Sequence, residues 1–290
     1  MITPRRNTVQ TRIERFGESG LRPESDVVTV EEPMEIRLTL SENGRSTEQS
    51  VAVTMRTPGD DFELAAGFLF TEGLVAGRDD IADIRYCRNQ TPQEFNIVSV
   101  RLRDPASFDP ELLNRNFYVT SSCGVCGKAS LEAVAIRGCE PLPDDRLLVP
   151  HNTVRVVPER LLEAQRVFGK TGGLHAAALF DQAGVASVAR EDVGRHNAVD
   201  KVIGHELLES RLPVSDRFLA VSGRASFEIM QKALAAGVAM VVAVGAPSSL
   251  AVDVAERFNM TLIGFTRSES FNVYTGASRL AQERSADQRP

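Results

Sequence analysis

Apolar and polar residues alternate twice within the first sixty positions. Ile36, Leu38 and Leu40 occupy every second position, Asn43 and Gly44 supply a turn, and Val51, Val53 and Met55 resume the alternation, which predicts a β-hairpin with one apolar face. That face needs a cover. Phe62, Leu64, Ala65, Phe68 and Leu69 recur at helical spacing between Asp60, a capping residue type, and Gly73, a helix stop, so a helix here is the expected lid. Val98, Val100 and Leu102 add a strand. Two Asp-Pro steps in residues 104–115 mark the expected end of a small α+β unit over 27–115. Residues 1–26 are polar and aperiodic and read as a loosely ordered N-terminal arm.

Beyond residue 116 the pattern changes. Residues 128–137 are helix-like, and Pro158 in a first turn ahead of Leu161, Leu162, Ala164 and Phe168 predicts a helix ending at Gly169. Ala176 to Phe180 and Val185 to Ala189 form a second predicted hairpin. A regular alternation follows: helix Asn197 to Leu208, strand Phe218 to Val221, helix Phe227 to Ala236, strand Ala239 to Val244, helix Leu250 to Phe258, strand Thr261 to Phe265. Strands that are apolar throughout and separated by helices predict a parallel sheet covered on both faces. The expected fold class is α/β over 116–280, with the small α+β unit before it and a tail at 281–290.

Composition narrows the function. A net charge of −6 and a pI near 5.4 exclude a general nucleic-acid binder, which needs a basic footprint. No run reaches the ~18 apolar residues of a membrane span, and the polar start does not read as a secretory leader, so a cytoplasmic protein is expected. Only Lys128, Lys170, Lys201 and Lys232 among the 33 basic residues are lysines, which marks each as a place where a compact ammonium differs from a guanidinium fork. Cys87, Cys123, Cys126 and Cys139 favour free thiols, chemistry or metal over a disulfide framework in a reducing compartment.

Three loops follow the predicted parallel strands, where open sheets bind ligands: Ser222-Gly223-Arg224-Ala225-Ser226, Gly245 to Ser249, and Thr266-Arg267-Ser268-Glu269-Ser270. Small residues admit an anion close to backbone amides, and Arg224 and Arg267 can fork onto phosphate oxygens. Each loop alone is equally an ordinary turn; agreement of all three on one sheet edge suggests a phosphate or nucleotide site, although none matches a P-loop or dinucleotide fingerprint. In residues 118–128 (YVTSSCGVCGK) Cys123 and Cys126 sit among glycines before a predicted helix, and both that helix start and Lys128 favour thiolate. Gly124 and Gly127 let the loop swing. A lone CxxC is open to zinc, dithiol redox or sulfur transfer. Zinc needs about four ligands, and His151, His175, His196 and His205 show no paired spacing. Glu191 to Asn197 is dense in polar groups at a helix start, so Asp192, Arg195 and His196 are candidates to face a ligand, against the plain reading of a capped helix. His175 reads first as a satisfied, half-buried imidazole.

Long motifs in order resemble the formate dehydrogenase accessory protein family, FdhD: RTPGDD at 56–61, GFLFTEG at 67–73, SSCGVCGK at 121–128, GGLHAAA at 172–178, EDVGRHNAVDK at 191–201, SGRASFE at 222–228, GAPSSLA at 245–251 and FNVYTG at 271–276. The resemblance implies a sulfurtransferase that takes persulfide sulfur from a cysteine desulfurase and passes it to the molybdenum bis-molybdopterin guanine dinucleotide cofactor of formate dehydrogenase. It implies Cys123 as persulfide bearer with Cys126 sharing or resolving the sulfur, and a cofactor-binding stretch at Phe265, Thr266, Arg267, Ser268, Glu269 and Ser270. Joined to the loop reading it brings in Ser222, Gly223, Arg224, Gly245, Ser248, His175 and His196. It further implies a homodimer, no resident metal, and a cytidine deaminase-like three-layer fold. By that comparison the deaminase His-x-Glu falls near His196 to Ala198 and its Pro-Cys-x-x-Cys near Ser222 to Ser226, so the acid/base Glu and zinc cysteines are missing. The competing expectation is a zinc-clip scaffold that tethers the desulfurase to apo-formate dehydrogenase without carrying sulfur.

Overall fold

A computed structural model describes residues 6–42, 45–87, 93–105, 139–143 and 147–281. The chain opens with strands β1 (Thr8–Gly17) and β2 (Gly20–Thr29), paired antiparallel from Thr8↔Thr29 to Gly17↔Gly20. This corrects the expected loose arm. Both faces of the hairpin are largely exposed, Phe16 and Leu21 included, so no buried face imposes an alternation on its sequence. Gly20 makes the turn with φ 90°.

The first core lies between a four-stranded sheet and one helix. Strands β3 (Glu32–Glu42), β4 (Arg45–Arg56), β5 (Ile81–Tyr86) and β6 (Ile97–Leu102) stand in the order β4-β3-β6-β5. Helix α1 (Asp61–Thr71) covers them, burying Leu64, Ala65 and Leu69 against Met34, Ile36, Leu38, Val98 and Val100. The alternation anticipated for β4 fails beyond Val51. A register shift at Ile36/Arg37 turns the strand over, leaving Val53 and Met55 67% and 47% exposed. Asp60 precedes α1 as expected but is left-handed (φ 56°), and its side chain makes no cap; its carbonyl accepts from Leu64 N.

The second core is built on both faces of a six-stranded sheet. Strand β7 (Val149–Pro150) leads into helix α2 (His151–Ala164), the short helix α3 (Phe168–Thr171), strands β8 (His175–Phe180) and β9 (Ala186–Asp192), and helix α4 (Arg195–Leu208). Then come β10 (Phe218–Val221), helix α5 (Phe227–Ala235), β11 (Met240–Ala243), helix α6 (Ser249–Arg257), β12 (Thr261–Gly264), β13 (Asn272–Thr275) and β14 (Leu280–Ala281), which pairs with β7. The sheet order is β13-β12-β11-β10-β8-β9, parallel only through β10, β11 and β12. Alternate residues of these fully buried strands serve opposite faces. Leu219, Val241 and Leu262 pack with α4, α5 and α6, while Phe218, Val242 and Ile263 pack with Val154, Val157 and Leu161 of α2.

Helix α2 departs from expectation. It begins at His151, so Pro158 lies inside it and removes a donor that would serve Val154. The β-branched Thr153, Val154, Val156 and Val157 have low helix propensity, but Thr153, Val154, Val157 and Leu161 share a buried helical face, and burial outweighs propensity. The two cores meet where α1 crosses α4, and Phe70 and Leu212 pack against both.

Candidate functional site

The three strand-end loops lie side by side, stitched by backbone hydrogen bonds. Gly245 N donates to Gly223 O at 3.0 Å, Ala225 N to Ala246 O at 3.2 Å, Ser248 N to Ala225 O at 3.0 Å, and Phe265 N to Gly245 O at 3.0 Å. Such contact needs glycine. A Cβ on Gly245 would stand 2.8 Å from Gly223 O, closer than real side chains approach. The amides of Gly223 and Arg224 donate to no described residue.

Within the third loop the roles divide. Thr266 is fully buried and its hydroxyl donates to Ala243 O at 2.9 Å, so it anchors the loop instead of reaching a ligand. Arg267 Nη1 donates to the carbonyls of Val244 and Thr266, both at 2.8 Å. Ser268 O accepts from Arg155 Nε of α2 at 2.7 Å, a partner that no local motif signals. Phe265 is 45% exposed and holds a left-handed backbone (φ 51°), a conformation that costs a non-glycine residue energy and recurs at functional positions. Glu269 and Ser270 are exposed, as is Arg224, which makes no hydrogen bond to a described residue. Ser222 and Ser248 act locally. Ser222 Oγ accepts from Ala176 N at 2.9 Å and Ser248 Oγ caps α6 through Ala251 N at 3.3 Å.

The dense segment 191–201 splits between structure and site. Asp192 is fully buried: its carboxylate takes Thr57 N at 3.2 Å, Gly194 N at 2.9 Å, Asn197 Nδ2 at 3.0 Å and Lys201 Nζ at 2.8 Å. It therefore ties the second core to the first and cannot face a ligand, contrary to its candidacy from sequence. Asn197 and Lys201 extend the tie to Met55 O (2.8 Å) and Thr57 O (3.0 Å). A second ion pair, Lys232 with Asp200 at 2.9 Å, is backed by Thr71 and Glu72 of the first core. Two of the four lysines are thus fastenings of this seam.

Arg195 and His196 turn the other way. His196 Nε2 lies 3.2 Å from Ser226 Oγ and 3.8 Å from Glu228 Oε2, so the amino ends of α4 and α5 meet there. His175 and Arg195 both border Gly223: a Cβ placed on it would stand 3.4 Å from His175 Nδ1 and 3.7 Å from Arg195 Cδ. Burial, then the Arg195 charge, lower the His175 pKa and push His196 down to about 4, so both imidazoles are neutral near pH 7. Structure thus brings His175 and His196 to the edge formed by these loops. The other two histidines are structural: His151 lies edge-on to Phe271, and His205 Nδ1 bonds Glu63 at 2.9 Å. No group of three potential metal ligands exists among the described residues. Cys123 and Cys126 lie outside the described residues. A cavity of about 770 Å³ stands apart from these loops, beside β5, lined by Phe62, Tyr86, Cys87 and Phe95.

These features define an α/β protein whose strand-end edge carries small-residue loops, two neutral histidines and exposed arginines. The FdhD/NarQ family model matches residues 33–281, and the chain belongs to that family. It is 48% identical over 284 residues to the sulfur carrier protein FdhD of Streptomyces coelicolor, covering 97% of this chain and 96% of the relative. It is 51% identical over 269 residues to the sulfur carrier protein FdhD of Mycolicibacterium paratuberculosis, covering 91% and 94%. The crystal structure of a provisionally assigned formate dehydrogenase accessory protein from Desulfotalea psychrophila superposes with a TM-score of 0.71 at 25% identity, covering 95% of this chain and all of the other. No helix among the described residues is long and apolar enough to cross a membrane.

Proposed function

We propose that this protein is a sulfur carrier for formate dehydrogenase, accepting persulfide sulfur from a cysteine desulfurase and delivering it to the molybdenum bis-molybdopterin guanine dinucleotide cofactor. The carrying observation is identity near one half, over almost the full length, with proteins named as sulfur carriers. In this reading the Cys123 thiolate attacks the terminal sulfur of the desulfurase persulfide; the S–S bond breaks, the desulfurase cysteine leaves as thiolate, and Cys123 keeps the sulfur. Cys126 shares that sulfur or attacks its inner atom, forming the Cys123–Cys126 disulfide and releasing sulfide to the metal. The stitched loops at 222–226, 245–248 and 265–270 receive the guanine nucleotide ends of the cofactor, and their small residues and exposed arginines support that use. The protein works as a cytoplasmic homodimer, with an α/β unit of cytidine deaminase-like descent that has lost the deaminase Glu and zinc cysteines.

The test is sulfur acceptance. Incubated with desulfurase and labelled cysteine, the wild-type chain gains label and about 32 Da per sulfur atom, one oxidation step above the thiol. Cys123→Ala abolishes both, and normal labelling of that variant would overturn the assignment.

A further inference from the structure

Among the described residues, Arg195 is the cation of the strand-end edge with a buried donor left unspent. It opens α4, yet among the described residues it makes no hydrogen bond or ion pair, and its Nε is buried with no partner. A guanidinium donor without an acceptor is costly, since the desolvation of a charged group goes uncompensated. Its described surroundings offer no bonded acceptor. His175 and His196 are neutral, Asp192 is saturated by its four donors, and Glu228, bonded to Ser226 and its own amide at the start of α5, feels the Arg195 charge but forms no ion pair or hydrogen bond with it.

The same place collects other features that favour negative charge. The amino ends of α4 (14 residues) and α5 (nine residues) meet within 3.2 Å through His196 and Ser226, so two helix dipoles present their positive ends together. The free amides of Gly223 and Arg224 lie on the adjoining loop, and Gly223 leaves the approach beside His175 and Arg195 open for lack of a side chain. A monovalent carboxylate would use only part of this. A diphosphate carries several charges and acceptors on neighbouring oxygens, matching a fork plus two helix ends.

We propose that Arg195 is a diphosphate anchor of the nucleotide site, its guanidinium and the paired starts of α4 and α5 holding the phosphates while the loops hold the nucleoside. This rests on the reading that the edge receives a guanine nucleotide. His175 and His196 serve as neutral hydrogen-bonding walls, so the positive charge nearest Gly223 and the start of α4 is that of Arg195.

Calorimetry with guanosine diphosphate and with guanosine tests it on the full chain. Arg195→Gln weakens guanosine diphosphate at least about tenfold, which is 1.4 kcal/mol, and leaves guanosine within twofold. Arg195→Lys, which keeps charge but not the fork, falls between. A guanosine diphosphate affinity within twofold of wild type in Arg195→Gln overturns the anchor while the nucleotide site stands; a parallel loss of guanosine assigns Arg195 to loop structure and also overturns it. If the wild-type chain binds neither, the nucleotide reading itself falls. A measurement that needs no variant is the arginine Nε–H spectrum of the wild-type protein titrated with inorganic pyrophosphate. The Arg195 signal is expected to shift with saturation, and a signal unmoved while guanosine diphosphate still binds excludes the contact.

Discussion

Gly67 of α1 and Gly204 of α4 meet backbone to backbone: a Cβ on either would stand 2.8 Å from the other's amide nitrogen and run into the carbonyl of Asp200 or Glu63. The two cores are held apart by main chain alone at this crossing, so no rotamer change can make room. Gly67→Ala and Gly204→Ala are therefore each expected to cost about 3 kcal/mol or more by urea unfolding, at the upper end of overpacking penalties. A loss under about 1 kcal/mol would show that the helices part easily.

The Lys232–Asp200 pair is buried on both sides, with 7% and 2% of the side chains exposed. Removing one partner strands a charge. Lys232→Met is expected to destabilise by about 3–5 kcal/mol, whereas Lys232→Met with Asp200→Leu recovers most of that, because two apolar side chains need no partner. Equal losses in the single and double variants would deny the pair its charge-compensating role.

His196 supplies a pH signature. Burial and Arg195 hold its pKa near 4, well under its ordinary 6.5. The folded imidazole stays neutral between pH 6.5 and about 4 while the unfolded one takes a proton, so the stability contributed above pH 6.5 is lost as acid is added through that window. The ring resonances of His196 are expected to titrate with a midpoint near 4, and a midpoint near 6.5 would mean that the ring is solvated and far from Arg195.

Glu206 runs the same argument with a carboxylate. Its burial opposes charge, yet hydrogen bonds from Arg211 at 3.0 Å and Arg217 at 2.7 Å hold its pKa below the ordinary 4.5. Its ionised form thus stabilises the fold above pH 4.5, and that contribution fades as pH falls through the depressed value. Glu206→Gln should be less stable than wild type at pH 7, and the gap should close in acid unfolding curves; a gap constant with pH would rule out the ion pairs as its source.

Much of the second core was legible along the chain. Phe218 to Val221, Met240 to Ala243 and Thr261 to Gly264 are buried without a break, and a strand packed on both faces has no other pattern available to it. The loops after them were legible too, since glycine and serine at strand ends follow from close backbone approach. The hairpin of residues 8–29 was hidden because neither face is buried, and the turnover of β4 was hidden because a bulge shifts register without marking its own residues.

Periodicity in the sequence alone determined strands β8 to β12, helices α4 to α6 between them, and the loops that follow the parallel strands, because those patterns answer to local geometry. Only tertiary structure decided which polar side chains of segment 191–201 are spent and which are free. Asp192 meets Thr57 across 135 residues, Lys201 meets Thr57 across 144, and Lys232 meets Thr71 across 161. A charge is neutralised or left available by what stands beside it in space, and that neighbour lies far beyond the reach of any sequence window.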